Sequence, residues 1–440
     1  MKQILWFRRD LRVSDSAILA HAKGEVLPIF IFDKQILNKL SNDDKRISFI
    51  YKSVLNLKKE LQNIGLDLAI FYDEVTNVFN KLKNDFDKVL CSCDFDSYAI
   101  NRDKEVESII PIQRFYDSFL IHPNQSLKND KTPYKVFTPF FNNLFYIWQS
   151  DYLEEYQANK NLKLTKFDFN NIPTLDSLGF KNQELPSFLY LSGFELLEKF
   201  KNKIKNYQND RDYFYKDATS NLSVHLRFGL ISPKEIFNSI KNISNSEFFI
   251  RELFFREFYN YILFHFPYSE FENFNQKQIV WNQDKKNFKK WCDGETGVPI
   301  IDASMQYLNK TGLMHNRLRM INASFLTKNL LLPWQWGEEY FALKLLDYEA
   351  SSNIGSWQWG ASTGADSVPY FRIFNPYTQS KKFDNDGVFI KSVLKELNDI
   401  DSKLLHKENG AQTNLFTNYP SSIVDIKKSR EIAIKRFKYA

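Results

Sequence analysis

Residues 3–7 read Gln-Ile-Leu-Trp-Phe, and residues 26–32 read Val-Leu-Pro-Ile-Phe-Ile-Phe. Both are apolar runs of strand length, and strand-like runs follow at 66–72, 88–93 and 113–116. Helical patterns lie between these runs at 50–64, 75–82 and 98–110. Strands that alternate with helices build a parallel sheet covered by helices on both faces. We therefore predict an α/β N-terminal domain with a five-stranded parallel sheet.

The chain changes character after residue 123. Prolines and polar runs break up residues 124–188, which we interpret as an interdomain connection. From residue 189 onward apolar residues recur at helical spacing, as in 248–264 and 300–332, and residues 423–439 indicate an ordered basic helix. We predict three parts, with an α/β domain at 1–123, a connection at 124–188 and a large all-α C-terminal domain at 189–440.

Composition excludes several classes of protein. Of the 440 residues, 43% are apolar and 25% are charged, which is typical of globular chains and not of disordered or fibrous ones. No apolar run approaches the roughly 20 residues that span a bilayer, and the basic residues 8 and 9 follow the first run too soon for a signal peptide. Cys91, Cys93 and Cys292 indicate neither a disulfide framework nor a metal site. We expect a cytoplasmic monomer, and the net charge of +6 permits an anionic partner.

A hydroxyl-rich stretch at 219–223 allows two interpretations. It reads Thr-Ser-Asn-Leu-Ser, so side-chain hydroxyls and backbone N–H groups are available to bind a pyrophosphate near a helix start. The alternative is an ordinary helix N-cap, since Ser and Thr are favoured there. No G-x-G-x-x-G motif occurs in the first 120 residues, so a dinucleotide on the first strand–helix turn has no support.

Several further motifs of unusual composition occur in order along the chain. They are residues 6–12 (Trp-Phe-Arg-Arg-Asp-Leu-Arg), 227–229 (Arg-Phe-Gly), 256–259 (Arg-Glu-Phe-Tyr), 315–320 (His-Asn-Arg-Leu-Arg-Met), 347–359 (Asp-Tyr-Glu-Ala-Ser-Ser-Asn-Ile-Gly-Ser-Trp-Gln-Trp) and 370–376 (Tyr-Phe-Arg-Ile-Phe-Asn-Pro). Together with 219–223, they resemble the photolyase/cryptochrome family over essentially the whole chain. Within that family the sequence is most similar to class I cyclobutane pyrimidine dimer DNA photolyases.

The resemblance implies a C-terminal helical domain that binds FAD in a folded conformation. It also implies the reaction: excited, reduced FAD gives an electron to a cyclobutane pyrimidine dimer in ultraviolet-damaged DNA, the ring opens, and the electron returns. Because a lesion inside a duplex cannot reach a buried flavin, the damaged bases must flip out of the helix.

The resemblance also assigns the residues that bind FAD. They are Tyr207, Thr219, Ser220, Asn221, Leu222, Ser223, Phe249, Arg319, Asp347, Tyr348, Glu349 and Asn353. We expect Arg319 and Asp347 to form an ion pair beside the flavin ring, because a buried lone charge is costly. A structural ion pair is the alternative. Asn353 is expected at the flavin N5 atom, where a neutral amide can donate or accept a hydrogen bond.

The lesion pocket is assigned in the same way to Glu252, Asn316, Met320 and Trp359. The residues that match DNA contacts are Arg211, Glu252, Phe255, Arg256, Tyr259, Asn316, Arg317, Arg372 and Gln379. For Glu252, a helical ion pair with Arg256 is the alternative. Trp281, Trp334 and Trp357 match the family's electron-transfer chain, and without the resemblance three ordinary core residues would be the default.

This sequence departs from the family pattern at four positions. Glu349 stands where the family usually has Asp, and Phe255 and Phe249 stand where it usually has Trp. Folate-binding members hold the antenna with an Asn-Glu pair, whereas this chain has Asn101-Arg102. We expect FAD as cofactor and leave the second, antenna chromophore open between a deazaflavin, a flavin mononucleotide and none.

Two other functions are compatible with the same fold. A (6-4) photolyase places paired histidines in the lesion pocket, where this chain has Asn316 and Met320. A cryptochrome is a blue-light receptor that signals instead of repairing DNA, and signalling members often carry a long C-terminal tail. Here only 64 residues follow Pro376, which favours repair.

Overall fold

The computed structural model describes residues 1–149, 152–413 and 418–439. The chain forms two compact units. Unit 1 consists of Met1–Tyr134, Thr138–Ile204 and Ser220–Phe264, and unit 2 of Lys135–Phe137, Lys205–Thr219 and His265–Ala440. The division at residues 123 and 188 stays a prediction, and residues 150 and 151 of the predicted connection lie outside the described residues.

Unit 1 contains the sheet. Its strands are β1 (Lys2–Phe7), β2 (Glu25–Asp33), β3 (Ala69–Asp73), β4 (Lys88–Ser92), β5 (Ile112–Phe115) and β6 (Lys163–Leu164). The order is β3-β2-β1-β4-β5, with β6 paired to β2, and these pairings are all parallel. The predicted five-stranded parallel sheet is confirmed. The added strand β6 lies in the predicted connection and has only two residues, too few to carry a periodic signal.

Burial explains why the sheet has helices on both faces. Successive side chains of a strand point to opposite faces. Leu5 and Phe7 of β1 belong to one apolar core, together with Val54 from the helix that follows β2. Ile4 and Trp6 belong to a second core on the other face. Each face is therefore apolar and needs a covering helix.

The helices of unit 1 are α1 (Ala17–His21), α2 (Lys34–Leu37), α3 (Lys45–Asn63), α4 (Val75–Leu82), α5 (Ser97–Ile109), α6 (Phe137–Trp148, whose first residue belongs to unit 2), α7 (Gly193–Lys201), α9 (Ser223–Arg227), α10 (Pro233–Ile240) and α11 (Glu247–His265, whose last residue belongs to unit 2). Three of them, α3, α4 and α5, match the helical patterns predicted at 50–64, 75–82 and 98–110. The carboxylate of Asp44 caps α3 by accepting a hydrogen bond from the Arg46 N–H at 2.9 Å. Beyond its C-terminus Gly65 has φ +80°, a left-handed conformation that favours glycine.

The regular elements of unit 2 are all helices among its described residues. Its helices are α8 (Tyr207–Asp210), α12 (Lys285–Asp293), α13 (Pro299–Thr311), α14 (Asn316–Ser324), α15 (Trp334–Lys344), α16 (Ala350–Ala361), α17 (Pro376–Phe383), α18 (Val388–Val393), α19 (Ser402–Leu405) and α20 (Ile426–Lys438). A π-helix at Phe325–Asn329 continues α14. None of the described helices is both long and apolar enough to cross a bilayer.

The helical pattern at 300–332 conceals a break. Gly312 has φ +74° and ends α13, so the pattern contains two helices, α13 and α14, and the π-helix. The break is functionally important because it places His315 as the N-cap of α14, the helix that carries four of the predicted site residues.

Candidate active site

The first turn of α14 is held by a neutral histidine. The Nδ1 atom of His315 accepts a hydrogen bond from the Arg317 N–H at 3.1 Å. Burial lowers the pKa of His315 to about 4, so the ring is neutral at physiological pH and its Nδ1 can act as an acceptor. This cap fixes the start of α14, and with it the directions of Asn316, Arg319 and Met320.

Two predicted lesion residues share one face of α14. Asn316 and Met320 are four residues apart, and the Asn316 Nδ2 atom lies 3.8 Å from the Met320 Sδ atom. Asn316 is exposed and Met320 is half-buried. The helix therefore presents a polar amide beside an apolar thioether, which suits a ligand with polar edges and an apolar face.

The expected ion pair between α14 and the start of α16 is present. The Arg319 Nη2 atom donates to both carboxylate oxygens of Asp347, at 2.9 and 2.8 Å. The Arg319 Nε atom donates to the Met314 carbonyl at 2.8 Å. The Asp347 side chain is only 6% exposed, so its charge needs this cation. The guanidinium is thus held rigidly in place.

Arg317, predicted to contact phosphate, already has a carboxylate partner. Its Nη2 atom lies 2.7 Å from Asp212 Oδ2, and its guanidinium carbon lies 4.6 Å from the centroid of the Phe383 ring. The side chain is 17% exposed. Asp212 was not found from the sequence, because nothing in the pattern pairs residues so far apart in the chain.

Asn353 on α16 is oriented by a carboxyl group that the sequence analysis missed. Its Nδ2 atom donates to the Glu338 carbonyl at 3.1 Å and to Glu338 Oε1 at 2.9 Å. The Tyr348 hydroxyl donates to the same Oε1 at 3.3 Å. Burial raises the pKa of Glu338, although the two hydrogen bonds oppose this shift. Since both Glu338 atoms are acceptors, the amide must present Nδ2 to them.

The opposite atom of that amide is available to a ligand. Among the described residues, no group donates a hydrogen bond to Asn353 Oδ1. Asn353 is only 8% exposed, so its Oδ1 atom is a largely buried acceptor whose direction is fixed. Nothing in the sequence marks Glu338 as a site residue beyond its place on α15, the helix that begins at Trp334.

The three predicted electron-transfer tryptophans all lie in unit 2. Trp281 is half-buried and packs edge-on against Phe437 with ring centroids 5.8 Å apart. Trp334 is 1% exposed, and its Nε1 atom donates to Asn273 Oδ1 at 2.8 Å. Trp357 is 2% exposed and packs against Phe341 with ring centroids 5.0 Å apart. Exposure therefore decreases from Trp281 to the other two.

A glycine allows α15 and α16 to approach closely. A Cβ atom at Gly337 would lie 2.2 Å from the Trp357 ring, which no side chain can tolerate. This contact holds the helix that carries Glu338 against the helix that carries Asn353 and Trp357. The hydrogen bonds between Asn353 and Glu338 depend on this approach.

The hydroxyl-rich stretch begins a short helix without a side-chain cap. The N-cap of α9 is Leu222, and no side chain caps it, so the interpretation of this stretch as an ordinary Ser or Thr cap is wrong. The Ser220 Oγ atom instead accepts from the Leu222 N–H at 3.3 Å, and Asn221 has φ +56°. Ser220, Asn221, Leu222 and Ser223 belong to unit 1, and Tyr207 and Thr219 to unit 2.

The predicted residues of α11 lie in unit 1. Phe249 is 6% exposed and packs against Phe200 with ring centroids 4.6 Å apart. Arg256 donates from Nη1 to the Ser118 carbonyl at 2.7 Å, and burial lowers its pKa to about 9. The hydrogen bond to Ser118 fixes the Arg256 side chain, so this residue is not a freely moving surface cation. Glu252, Phe255 and Tyr259 of the same helix are half-buried.

A buried carboxyl group on α11 was also missed. Glu257 is 4% exposed, and its Oε1 atom accepts from the Leu120 N–H at 2.9 Å. Burial raises the pKa of Glu257 to about 7, although the neighbouring Arg256 charge opposes this. The sequence signal that could have identified Glu257 is a charged residue within the apolar face of a helix.

The remaining predicted residues lie in unit 2. Glu349 is the N-cap of α16 and is 7% exposed; Trp359 is half-buried on the same helix. The Arg211 guanidinium lies 5.6 Å from the Tyr207 ring centroid. Arg372 is exposed, and Gln379 is half-buried on α17.

Arg102, at the position where folate-binding members have Glu, is bound by an ion pair within unit 1. Arg102 donates from Nε and Nη2 to Asp103 Oδ1, at 3.1 and 2.9 Å. The Arg8 Nη1 atom contacts the same oxygen at 2.5 Å. The Arg102 guanidinium carbon also lies 4.9 Å from the Trp6 ring centroid. Arg102 is therefore fixed by its own neighbours.

Comparison with known proteins identifies the family. Residues 3–158 match the family model described as DNA photolyase, and residues 249–439 match the FAD binding domain of DNA photolyase. The chain belongs to the DNA photolyase family.

Similar photolyases cover the chain from end to end. The deoxyribodipyrimidine photo-lyase of Alkalihalophilus pseudofirmus is 34% identical, and the alignment covers 99% of this chain and 97% of that protein. The photolyase of Sulfolobus tokodaii has a TM-score of 0.88 at 32% identity, covering 100% of both chains. The class III photolyase of Agrobacterium tumefaciens has a TM-score of 0.85 at 31% identity, covering 100% of this chain and 97% of that one. The predicted photolyase fold is confirmed.

The residues of unit 2 fit the flavin of a photolyase. A guanidinium fixed by Asp347 is a stationary positive charge, and Asn353 Oδ1 is a stationary acceptor. A reduced flavin carries an N–H group at N5 and develops negative charge on its ring. The N5 hydrogen matches the acceptor of Asn353, and the negative charge matches the cation of Arg319. A cationic ligand would not match the Arg319 charge.

Proposed function

We propose that this chain is a deoxyribodipyrimidine photo-lyase, which uses blue light to repair cyclobutane pyrimidine dimers in DNA. Its end-to-end similarity to a deoxyribodipyrimidine photo-lyase at 34% identity supports this activity. The observation that carries the proposal is the pairing of Asn316 with Met320 on one face of α14. A flipped dimer has polar carbonyl and imide edges and an apolar cyclobutane, and this face offers a partner to each.

The protein residues bind and orient while FAD, when bound, supplies the electron. Asn316 hydrogen-bonds the polar edges of the two bases, and Met320 and Trp359 contact their apolar faces. The lesion contact that the resemblance assigns to Glu252, in unit 1, stays a prediction. Arg319, fixed by Asp347, stabilises negative charge on the cofactor side by Coulomb attraction. Asn353 Oδ1 would be the acceptor for a hydrogen on the flavin N5 atom, because Nδ2 of the same amide is committed to Glu338.

The electron chain and the DNA contacts belong to the same proposal. Trp281, which is half-buried, and Trp334 and Trp357, which are both buried, would carry electrons to oxidised FAD. Arg211, Arg317 and Arg372 contact phosphates, which makes binding depend on salt. Arg256, in unit 1, already donates to the Ser118 carbonyl, and its phosphate contact stays a prediction. For Arg317, phosphate must compete with Asp212 at 2.7 Å, so its contribution will be smaller than that of exposed Arg372. The cytoplasmic location and the monomeric state stay predictions.

The alternatives have less support. A (6-4) photolyase would need histidines at the positions of Asn316 and Met320, and neither is histidine. A signalling receptor would not require this exposed amide beside Met320, and the 34% identical relative is a lyase by name.

The decisive experiment measures repair directly. Holoprotein with chemically reduced FAD should restore ultraviolet-irradiated oligo-dT under blue light and leave it unchanged in the dark. The variant Asn316→Ala should repair more slowly at limiting substrate, whereas Asn398→Ala, a change at another exposed asparagine of unit 2, should repair normally. Restoration of (6-4) lesions but not of cyclobutane dimers would overturn the assignment, and so would an absence of any light-dependent repair.

We also infer that any antenna is not a folate held by residues 101 and 102. Arg102 is bound to Asp103 and lies against Trp6, so a folate would have to break an ion pair. The Sulfolobus tokodaii structure contains two FAD molecules, which supports a second flavin as the candidate antenna. Chromophores extracted from protein made in its native host would decide, and bound methenyltetrahydrofolate would contradict this inference.

A further inference from the structure

An aromatic and basic surface extends from the candidate DNA-binding residues of unit 2. It consists of Tyr213, Tyr215, Lys216, Lys382 and Phe383, and we name it the tyrosine patch. Arg317, one of the predicted DNA contacts, touches it through its guanidinium carbon, which lies 4.6 Å from the centroid of the Phe383 ring. None of the five residues is used in the proposed repair chemistry.

Ring and cation contacts make the tyrosine patch continuous. The Tyr213 ring packs edge-on against Phe383 at 6.1 Å and against Tyr215 at 6.0 Å between centroids. The Lys216 Nζ atom lies 4.7 Å from the Tyr213 centroid, and the Lys382 Nζ atom lies 5.1 Å from that of Phe383. A chain of contacts therefore runs from Arg317 to Tyr215.

Burial decreases along this chain of contacts. Phe383 is 5% exposed, Tyr213 is half-buried and Tyr215 is 43% exposed. Tyr215 makes its one described ring contact at an edge, with an interplanar angle of 71° to Tyr213. A tyrosine that served only the core would be buried, so the open ring of Tyr215 is available to a planar partner.

Among the described residues, Lys382 is the cation of the patch that is open to an anionic partner. Lys382 is exposed and has no carboxylate partner among the residues that the structure describes. Lys216 is 40% exposed and is held at 2.5 Å by Asp210, which orients its ammonium group beside Tyr213. Aromatic rings interleaved with cations are typical of surfaces that bind unpaired nucleic acid, where bases stack and phosphates pair with lysines.

We propose that the tyrosine patch binds single-stranded DNA next to the lesion, with Tyr215 stacked on an unpaired base and Lys382 beside a phosphate. This inference rests on the proposed function, since it concerns the same damaged strand. Bases inside a duplex already stack on one another and offer no free face to Tyr215. The patch therefore strengthens binding to damage in single strands and does little for damage in a duplex.

The test compares Tyr215→Ala in two substrates. Dissociation constants of the FAD-loaded protein are measured in the dark for one dimer-containing oligonucleotide, single-stranded and annealed to its complement. We expect about tenfold weaker binding to the single strand, as for the loss of one base–aromatic stack. Binding to the duplex should change less than twofold. Tyr215→Phe should behave as wild type, since the ring and not the hydroxyl carries the contact.

Tyr439→Ala is the matched control, because Tyr439 is 77% exposed and has Lys438 at 5.8 Å from its ring centroid, yet lies outside the patch. It should change neither constant. Lys382→Ala should reduce the slope of log affinity against log salt by about 0.7 for the single strand. Bound FAD and the melting temperature, measured for every variant, show that the fold is intact.

The results that would overturn the tyrosine patch differ from the result that would overturn the proposed function. Equal loss on both substrates, or no loss on the single strand, overturns the tyrosine patch. Equal loss for Tyr439→Ala also overturns it, since any exposed aromatic would then suffice. If wild-type protein binds damaged and undamaged DNA equally, the proposed function is overturned, and the patch, which rests on it, is overturned with it.

Discussion

Two regions of buried charge behave differently in this molecule. In unit 1, near the carboxyl ends of β1 and β4, Asp103 is bound by Arg8 and Arg102, and Arg9 is paired with Asp94 at 2.9 Å. In unit 2, Arg319 is paired with Asp347 and Asn353 with Glu338, but Asn353 Oδ1 has no partner among the described residues. Every charge named in the first network has an oppositely charged partner, and we call this network closed, whereas the second leaves an oriented acceptor for a ligand.

The difference teaches where stability and chemistry lie. A closed network of buried charges holds the fold, and removing one member leaves an uncompensated charge. A network with one open position costs some stability but can bind. We therefore expect changes in the first region to affect unfolding and changes in the second to affect the flavin.

The largest effect should come from Trp357→Phe. If Trp357 is the electron donor nearest the flavin, the variant should lose photoreduction of oxidised FAD, while chemically reduced protein should still repair dimers. Absorbance during blue illumination measures the first, and repair of oligo-dT measures the second. Phenylalanine fills most of the volume beside Phe341, so the fold should survive.

Trp291→Phe is the control for that experiment. Trp291 is fully buried and packs against Trp357 at 6.0 Å, so its replacement perturbs the same core without removing a predicted donor. Photoreduction at the wild-type rate in Trp357→Phe, or an equal loss in Trp291→Phe, would refute the assigned electron chain.

Asp103→Asn should give the largest loss of stability. The asparagine keeps the shape but removes the charge that pairs with Arg8 and Arg102, whose side chains are 8% and 13% exposed. Breaking a buried pair from one side costs about 3–5 kcal/mol, measured here as the free energy of unfolding in urea. Asp73→Asn, which breaks a pair with the 69% exposed Lys81, should cost less than about 1 kcal/mol. Similar losses for both would show that the first network is not closed as described.

Sequence reasoning predicted the sheet and the ion pair of unit 2 for different reasons. Apolar runs such as 26–32 are buried on both faces, so the pattern alone identifies strands. The pair Arg319–Asp347 was expected only from the family resemblance. Glu338 and Asp212 were missed, because each acts through a partner that is distant in the chain or lies on another helix. Periodicity reports which side is buried and not which polar atoms meet there.

Glu257→Gln should change how stability depends on pH. The pKa of Glu257 is raised from 4.5 to about 7, so the folded state binds this proton more tightly than the unfolded state. The protonated carboxyl is therefore stabilising at low pH, and that stabilisation is lost as pH rises from 4.5 to about 7. At 1.36 kcal/mol per pKa unit, wild type should lose about 3 kcal/mol more than the variant across this range.

Urea unfolding at several pH values measures this difference. Glu235→Gln on α10 is the control, because Glu235 is also buried but accepts hydrogen bonds in a capping box. Parallel pH profiles for wild type and Glu257→Gln would show that folding does not raise the pKa of Glu257.

Glu338→Ala should mainly affect the flavin. The Asn353 amide keeps the backbone carbonyl at position 338 but loses the 2.9 Å contact with Oε1, so it can rotate and present Nδ2 to N5. We expect a loss of about 1–2 kcal/mol in stability and a measurable shift of the FAD reduction potential. Glu339→Ala, an exposed change on the same helix, should alter neither. An unchanged potential would show that Asn353 is not oriented by Glu338.

The smallest expected effect is a gain, in Phe255→Trp. Phe255 is half-buried on α11, and the Arg251 guanidinium lies 5.9 Å from its ring centroid. Phenylalanine keeps an aromatic face for a flipped pyrimidine but lacks the area and N–H donor of an indole. Part of a stacking energy of roughly 1–3 kcal/mol per base should be recovered, so affinity for a dimer-containing oligonucleotide should rise by up to about tenfold.

Repair per bound complex should change little in this variant, because the electron passes between flavin and dimer and does not need this ring. Dissociation constants and single-turnover repair separate the two quantities. The neighbouring cation also favours the change, since a guanidinium is attracted more strongly to an indole than to a phenyl ring. If Phe255→Trp leaves affinity unchanged, the ring does not stack on the lesion. If it abolishes repair, position 255 determines which lesion fits, and the assignment of cyclobutane dimers as substrate must be tested again.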